Sequence, residues 1–180
     1  MKKILPQWVS YVIVHDVDAA CERTRAAGGQ VMLAAMDVTD QGRLANVMDP
    51  SGGMFGLWQP YAHTGADVFN EPGALTWNEL QTRDLAAALP FYEQVFGWEW
   101  TDGSTPGYKI GLLPGKPGDD KANCGAEDMP ANVPEEVPAV WQVYFSVSDV
   151  AGTVEDALAL GGKVFVKATE TPTGMVAGIL

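Results

Sequence analysis

The chain has 180 residues and a formal net charge of −12, from 23 acidic against 11 basic side chains. That length allows one or two domains with a real core. With no Lys/Arg cluster of the kind phosphate backbones require, nucleic acid and anionic membrane surfaces are poor partners. No apolar run approaches a bilayer span. The opening Met1-Lys2-Lys3-Ile4-Leu5-Pro6 is basic but lacks the long apolar stretch of a secretory signal. Cys21 and Cys124 form neither a disulfide framework nor a zinc-binding pattern, so free thiols in a reducing cytoplasm are expected.

Trp8 to Val14 is aromatic and β-branched and reads as a strand. Asp16 caps a helix on which Val17, Ala20, Cys21, Thr24 and Ala27 recur at helical spacing, and Gly28-Gly29 ends it. Strands follow at Gln30–Leu33, Arg43–Met48 and Met54–Gln59, the last two joined by the tight turn Asp49-Pro-Ser-Gly-Gly53. The order is βαβββ. Residues 61–74 are polar, with proline and glycine, and read as a linker. A second unit runs over 75–128. It has a strand at Leu75–Thr82, the cap Asp84, and a helix over Leu85–Phe96 with Leu85, Leu89, Tyr92 and Phe96 on one face. Its further strands are near Trp98–Thr101, Tyr108–Leu113 and Ala122–Glu127. Residues 129–139, with three prolines, form a second linker. Residues 140–180 read as an incomplete βαββ unit: a strand from Val140, a helix over Val150–Leu160, and strands at Val164–Ala168 and Met175–Leu180.

The chain also repeats itself. Trp8, Tyr11, Val14 and Asp16-Val17 return in register as Trp141, Tyr144, Val147 and Asp149-Val150, and Gly28-Gly29 returns as Gly161-Gly162. Self-similarity at a fixed offset marks one supersecondary unit used more than once. The fold class expected is α+β, built from repeated βαβββ units with curved, mixed, mostly antiparallel sheets.

These units, with Val-x-Asp at the strand-to-helix join, paired glycines after the helix and Asp49-Pro-Ser-Gly-Gly-x-Phe-Gly56 before the last strand, resemble the vicinal oxygen chelate superfamily. This is the glyoxalase, bleomycin-resistance and extradiol-dioxygenase group. The stretches 42–60, 70–84 and 91–100 resemble its two-domain hydroxylase-like or antigen-like branch, whose members carry four such units. Against that branch, this chain matches the second, third and most of the fourth unit. The resemblance implies a cavity closed by paired units. Either the first two units pair, leaving the third as an appendage, or units of two chains pair, which favours a homodimer.

The resemblance also implies a divalent-metal site, with a His or Gln seven residues before the Asp that follows the first strand and a Glu in the last strand. Those positions hold Val9, Trp77 and Gln142, and Gly56. Only Gln142 could ligate, so no metal and no other cofactor is expected. His15 and His63 read as surface residues.

Strand alternation turns Trp77, Glu79 and Gln81 away from the helix that covers Leu80 and Thr82. It does the same for Gln142, Tyr144 and Ser146, with Val143, Phe145 and Val147 packed under the third helix, and for Val9, Tyr11 and Ile13 with Met54, Gly56 and Trp58 in the first unit. The candidate ligand-binding set is therefore Tyr11, Trp58, Trp77, Glu79, Gln81, Gln142 and Tyr144, an aromatic surface with a few polar groups suited to a small organic molecule. Glu79 is the best candidate for an acid or base, since a carboxylate among apolar groups has a raised pKa. The bland alternative is a solvated Glu79 or one paired with Arg83 or Arg43.

The function expected is metal-independent binding of a small molecule, in the manner of the bleomycin-resistance proteins. One alternative is a metal-dependent lyase, isomerase or dioxygenase that draws ligands from Gln142, Glu79 or Glu127. Another is a truncated copy with no chemical role.

Overall fold

The structure is a computed structural model that describes residues 7–116 and 121–180. The basic opening segment lies outside the described residues.

The first unit consists of β1 (Tyr11–Ile13), α1 (Val17–Ala26), β2 (Gln30–Val38), β3 (Gly42–Met48) and β4 (Met54–Pro60). Its four strands lie in the order β1-β4-β3-β2, with β1 parallel to β4 and the other pairs antiparallel. The Asp16 carboxylate accepts the Ala19 N–H at 2.9 Å and so caps α1. Val17, Ala20, Cys21 and Thr24 are the face that α1 buries. β1 is shorter than the aromatic run suggests, because its ladder with β4 spans only Tyr11 to Ile13. β2 is longer than its apolar stretch, because pairing with β3 carries it to Val38 opposite Gly42. Both departures are set by the partner strand, which local composition does not report.

The second unit follows the same plan: β5 (Leu75–Thr82), α2 (Leu85–Phe96), β6 (Glu99–Asp102), β7 (Lys109–Leu112) and β8 (Ala122–Asp128). The Asp84 carboxylate accepts the Ala87 N–H at 3.0 Å. The helix ends at Gly97, whose φ of 72° is the left-handed conformation that glycine adopts without penalty. The most buried face of α2 is Ala88, Phe91, Tyr92 and Val95, with Leu85, Leu89 and Phe96 packed at its flanks. The face expected from Leu85, Leu89, Tyr92 and Phe96 is thus rotated by part of a turn.

β9 (Val140–Phe145) completes a five-stranded sheet in the order β6-β7-β8-β5-β9. The first strand of the incomplete unit therefore lies beside the first strand of the second unit.

The chain divides into two compact units. The larger takes in the chain up to Asp67 together with Trp77–Val143; the smaller is Val68–Thr76 with Tyr144–Leu180. In the larger, the inner faces of both sheets and of α1 and α2 share one apolar core centred on Phe55, Leu57, Leu80, Phe91 and Tyr92. One polar chain crosses this core. The buried Asp49 holds its own turn by accepting from Ser51 N, Ser51 Oγ and Gly53 N at 2.8, 2.7 and 2.9 Å. Its other oxygen accepts the Tyr92 hydroxyl at 2.6 Å, and the Tyr92 oxygen accepts the Trp141 indole N–H at 2.9 Å. Burial, and then the Asp49 charge, push the Tyr92 pKa well above the usual phenol range, so the hydroxyl stays a donor.

In the smaller unit, α3 (Val150–Ala159) packs against an antiparallel pair, β10 (Val164–Thr171) and β11 (Gly174–Ile179). Here the expectation for the third helix fails. α3 buries no residue completely, and Phe145 is 40% exposed.

Candidate functional site

β5 presents two faces. Leu80 and Thr82 are fully buried in the core. Trp77, Glu79 and Gln81 alternate to the opposite face. In the parallel ladder Glu79 lies opposite Gly125 and Gln81 opposite Glu127. The two pairs sit on that same face.

Five side chains there form one hydrogen-bonded network. The Trp77 indole N–H donates to the Tyr108 hydroxyl oxygen at 2.9 Å, and the Tyr108 hydroxyl donates to Glu79 Oε2 at 2.8 Å. The Gln81 amide nitrogen donates to Glu79 Oε1 at 3.3 Å and to Glu127 Oε1 at 2.9 Å. Glu79 is only 8% exposed; Trp77, Gln81, Tyr108 and Glu127 are half-buried. Gly125 makes the arrangement possible. A Cβ there would lie 1.9 Å from the Tyr108 hydroxyl oxygen and 2.9 Å from the Trp77 indole nitrogen. Any side chain at this position would expel the tyrosine from its place.

The Glu127 pKa is raised. Burial is the main cause, the neighbouring Glu79 charge adds to it, and the Gln81 amide opposes it. On the other side of the same strand, burial pushes the Cys124 thiol up to about 12, which removes it as a thiolate nucleophile at neutral pH. The two arginines considered as partners of Glu79 are engaged elsewhere. Arg43 bonds Asp18 and Asp37, and Arg83 donates to the carbonyls of Val133 and Pro134.

The first unit carries an apolar counterpart. Tyr11 lies opposite Gly56 in the β1–β4 ladder, and a Cβ on Gly56 would come within 2.3 Å of the Tyr11 ring. Trp58 meets that ring edge-on at a centroid distance of 6.4 Å, and its indole N–H donates to the His63 carbonyl. Gln142 is half-buried on β9. Tyr144, further along that strand, belongs to the smaller compact unit.

The structure thus joins Gln81 to Glu79 directly and Trp77 to Glu79 through Tyr108, and puts Tyr11 and Trp58 together on another sheet. It also adds Tyr108, which sequence reasoning missed, and ties in Glu127, weighed there only as a metal ligand. Period-two counting along 122–128 would have placed Glu127 on the face of Gly125. Nothing local marks Tyr108, which precedes β7 and reaches Glu79 across 29 residues of chain. Two surface cavities, of about 330 and 250 Å³, lie elsewhere. One is lined by Asp18, Cys21, Glu22, Arg25 and neighbours, the other by Trp8, Met48, Met54, Trp141 and neighbours.

Trp77 and Gly56, two of the residues at the superfamily's metal positions, offer a metal no ligand. The Trp77 nitrogen is a donor already engaged with Tyr108, and Gly56 lies beneath the Tyr11 ring. Both Glu79 oxygens accept hydrogen bonds from protein donors. Among the described residues no three His, Cys, Asp or Glu side chains converge as a ligand set.

Parallel first-to-fourth strand pairing in two successive βαβββ units defines a protein of the glyoxalase/dioxygenase fold class. The profile of the Glyoxalase/Bleomycin resistance protein/Dioxygenase superfamily matches residues 74–180, and the chain belongs to that superfamily. It is 39% identical over 170 residues to CFP32 of Mycobacterium tuberculosis, which carries a provisional glyoxylase name. That match covers 93% of this chain and 62% of CFP32. The anthracycline biosynthesis protein DnrV of Streptomyces peucetius is 34% identical over 178 residues, covering 96% of this chain and 61% of DnrV. The chain therefore spans about three fifths of the length of these relatives. Among solved structures, the Mn(II)-bound glyoxalase of Novosphingobium aromaticivorans shares the fold, with a TM-score of 0.59 at 14% identity over 94% of this chain and 57% of that one. No helix among the described residues is long and apolar enough to cross a membrane.

Proposed function

We propose that this chain is a metal-independent small-molecule-binding protein of the glyoxalase/bleomycin-resistance type. Its ligand lies on the face of the second sheet formed by Trp77, Tyr108, Glu79, Gln81 and Glu127. One observation carries the reading. At the position where the superfamily pattern asks for a metal-binding His or Gln, Trp77 instead directs its indole N–H into a closed network that fixes Tyr108 and Glu79. A rigid aromatic wall beside oriented polar groups binds an organic molecule by stacking and a few hydrogen bonds. Gln142, and Tyr11 with Trp58 on the first unit, extend the recognition surface in this reading, and the protein acts as a homodimer.

The competing reading is a metal-dependent lyase, isomerase or dioxygenase with Glu79 and Glu127 among its ligands. The two carboxylates bridged by Gln81 are the observation in its favour.

Thermal melting against a library of aromatic small molecules, with and without chelator, separates the two readings. The proposal expects ligands that raise the melting temperature equally in both conditions. Stabilisation that chelator abolishes would favour the enzyme.

A further inference from the structure

The direction of each hydrogen bond in the network limits what the face offers a ligand. Trp77 spends its only N–H on Tyr108, and Tyr108 spends its only O–H on Glu79. Gln81 directs its amide nitrogen to two carboxylates, one bond to each. The donors of this network are therefore consumed within it. What remains is of the other kind. Among the described residues, neither the Gln81 carbonyl oxygen nor Glu127 Oε2 takes a protein hydrogen bond.

The electrostatics agree. The groups acting on Glu127 are Glu79, Gln81 and Asp128, and no cation is among them. Ile110, opposite Gly125, and Thr101, opposite Ile110, continue the face across β7 and β6 without charge. Lys109 alternates to the other side and pairs with Asp102. The aromatic components, Trp77 and Tyr108, present rings whose faces attract cations.

We infer that the ligand of this face carries a positively charged nitrogen with N–H donors beside an aromatic or apolar body, and that anionic compounds are rejected. This rests on the reading of the face as a ligand site. A carboxylate, phosphate or sulfonate would meet acceptors and like charge. An ammonium would meet Glu127, the Gln81 carbonyl and the rings together.

Two probe trios that differ only in the end group test this: tryptamine, tryptophol and indole-3-propionate, and phenethylamine, 2-phenylethanol and 3-phenylpropionate. Calorimetry at neutral pH on the full chain is expected to rank amine above alcohol above carboxylate, with about tenfold between the first two, the gain of one charge-assisted contact. Glu127→Gln keeps an acceptor for Gln81. It is expected to remove that preference by lowering amine affinity about tenfold while leaving the alcohol within about twofold. Glu127→Asp, which keeps the charge, is expected to retain the order. A carboxylate that binds as well as its amine would overturn the inference, as would an amine indifferent to Glu127→Gln, and either result leaves the binding reading standing. If no member of either trio binds at millimolar concentration, the binding reading itself fails and the inference with it.

Discussion

The two βαβββ units of the larger compact unit put different chemistry on one backbone plan. In the first, Tyr11 stands opposite Gly56; in the second, Glu79 stands opposite Gly125. Each glycine leaves room for a neighbouring ring, Tyr11 in one and Tyr108 in the other. Tyr11 is 45% exposed, and with Ile13, Met36 and Met54 it belongs to the exposed apolar residues of the first unit. Around Glu79 the second unit builds a half-buried network of carboxylates, amide and aromatic donors. The glycine supplies space, and the first-strand residue opposite it decides whether that space becomes an apolar patch or a polar site.

Substitution at the two glycines should break the comparison most visibly. Gly125→Val places side-chain carbons where the Tyr108 hydroxyl now sits. It should cost about 1–3 kcal/mol by overpacking and remove small-molecule binding, measured by denaturant unfolding and calorimetry. Gly56→Ala meets an exposed ring that can swing outward. Its cost should stay below about 1 kcal/mol, and any loss of binding should be smaller than at Gly125, because the Trp77, Tyr108 and Glu79 bonds stay in place. Equal effects at the two sites would show that the units are not differentiated as described.

Tyr92→Phe tests what joins them. Asp49 comes from the first unit, Tyr92 from α2 and Trp141 from β9. Losing the hydroxyl strands a buried carboxylate oxygen and an indole N–H, at about 1–3 kcal/mol. A loss well under that range would mean the chain of bonds does not hold the core.

The smallest effect is a pH-dependent one. Glu127 has its folded pKa raised, so its contribution favours the folded state at low pH and is lost as pH rises through the raised value. Glu127→Gln should therefore melt slightly higher than the parent at neutral pH and match it at about pH 3, below the ordinary glutamate range, where both carry a neutral side chain. A variant less stable than the parent at neutral pH would contradict the assigned cause.

Much of the fold was legible because its signals are local. Asp16 and Asp84 cap their helices as their spacing indicated, and β5 begins and ends where composition placed it. What failed depended on partners distant in the chain. The full length of β2 follows from pairing with β3. The place of β9 beside β5 follows from sheet assembly. The rotated core face of α2 follows from the aromatic packing of Phe55 against Phe91 and Tyr92. The site divides in the same way. Trp77, Glu79 and Gln81 share a face by strand period alone, which is readable. Tyr108 and Glu127 reach them across 29 and 46 residues; strand period assigns Glu127 its face without naming its partner, and nothing local marks Tyr108.

Metal independence is the central claim, and the metal content of the untagged protein tests it most directly. Elemental mass spectrometry would follow purification without chelator, incubation with manganese, iron, nickel or zinc, and dialysis. Far less than one ion per chain is expected for every metal. Near-stoichiometric retention of any one of them would contradict it, and would mean that Glu79 and Glu127 give up their hydrogen bonds to hold an ion.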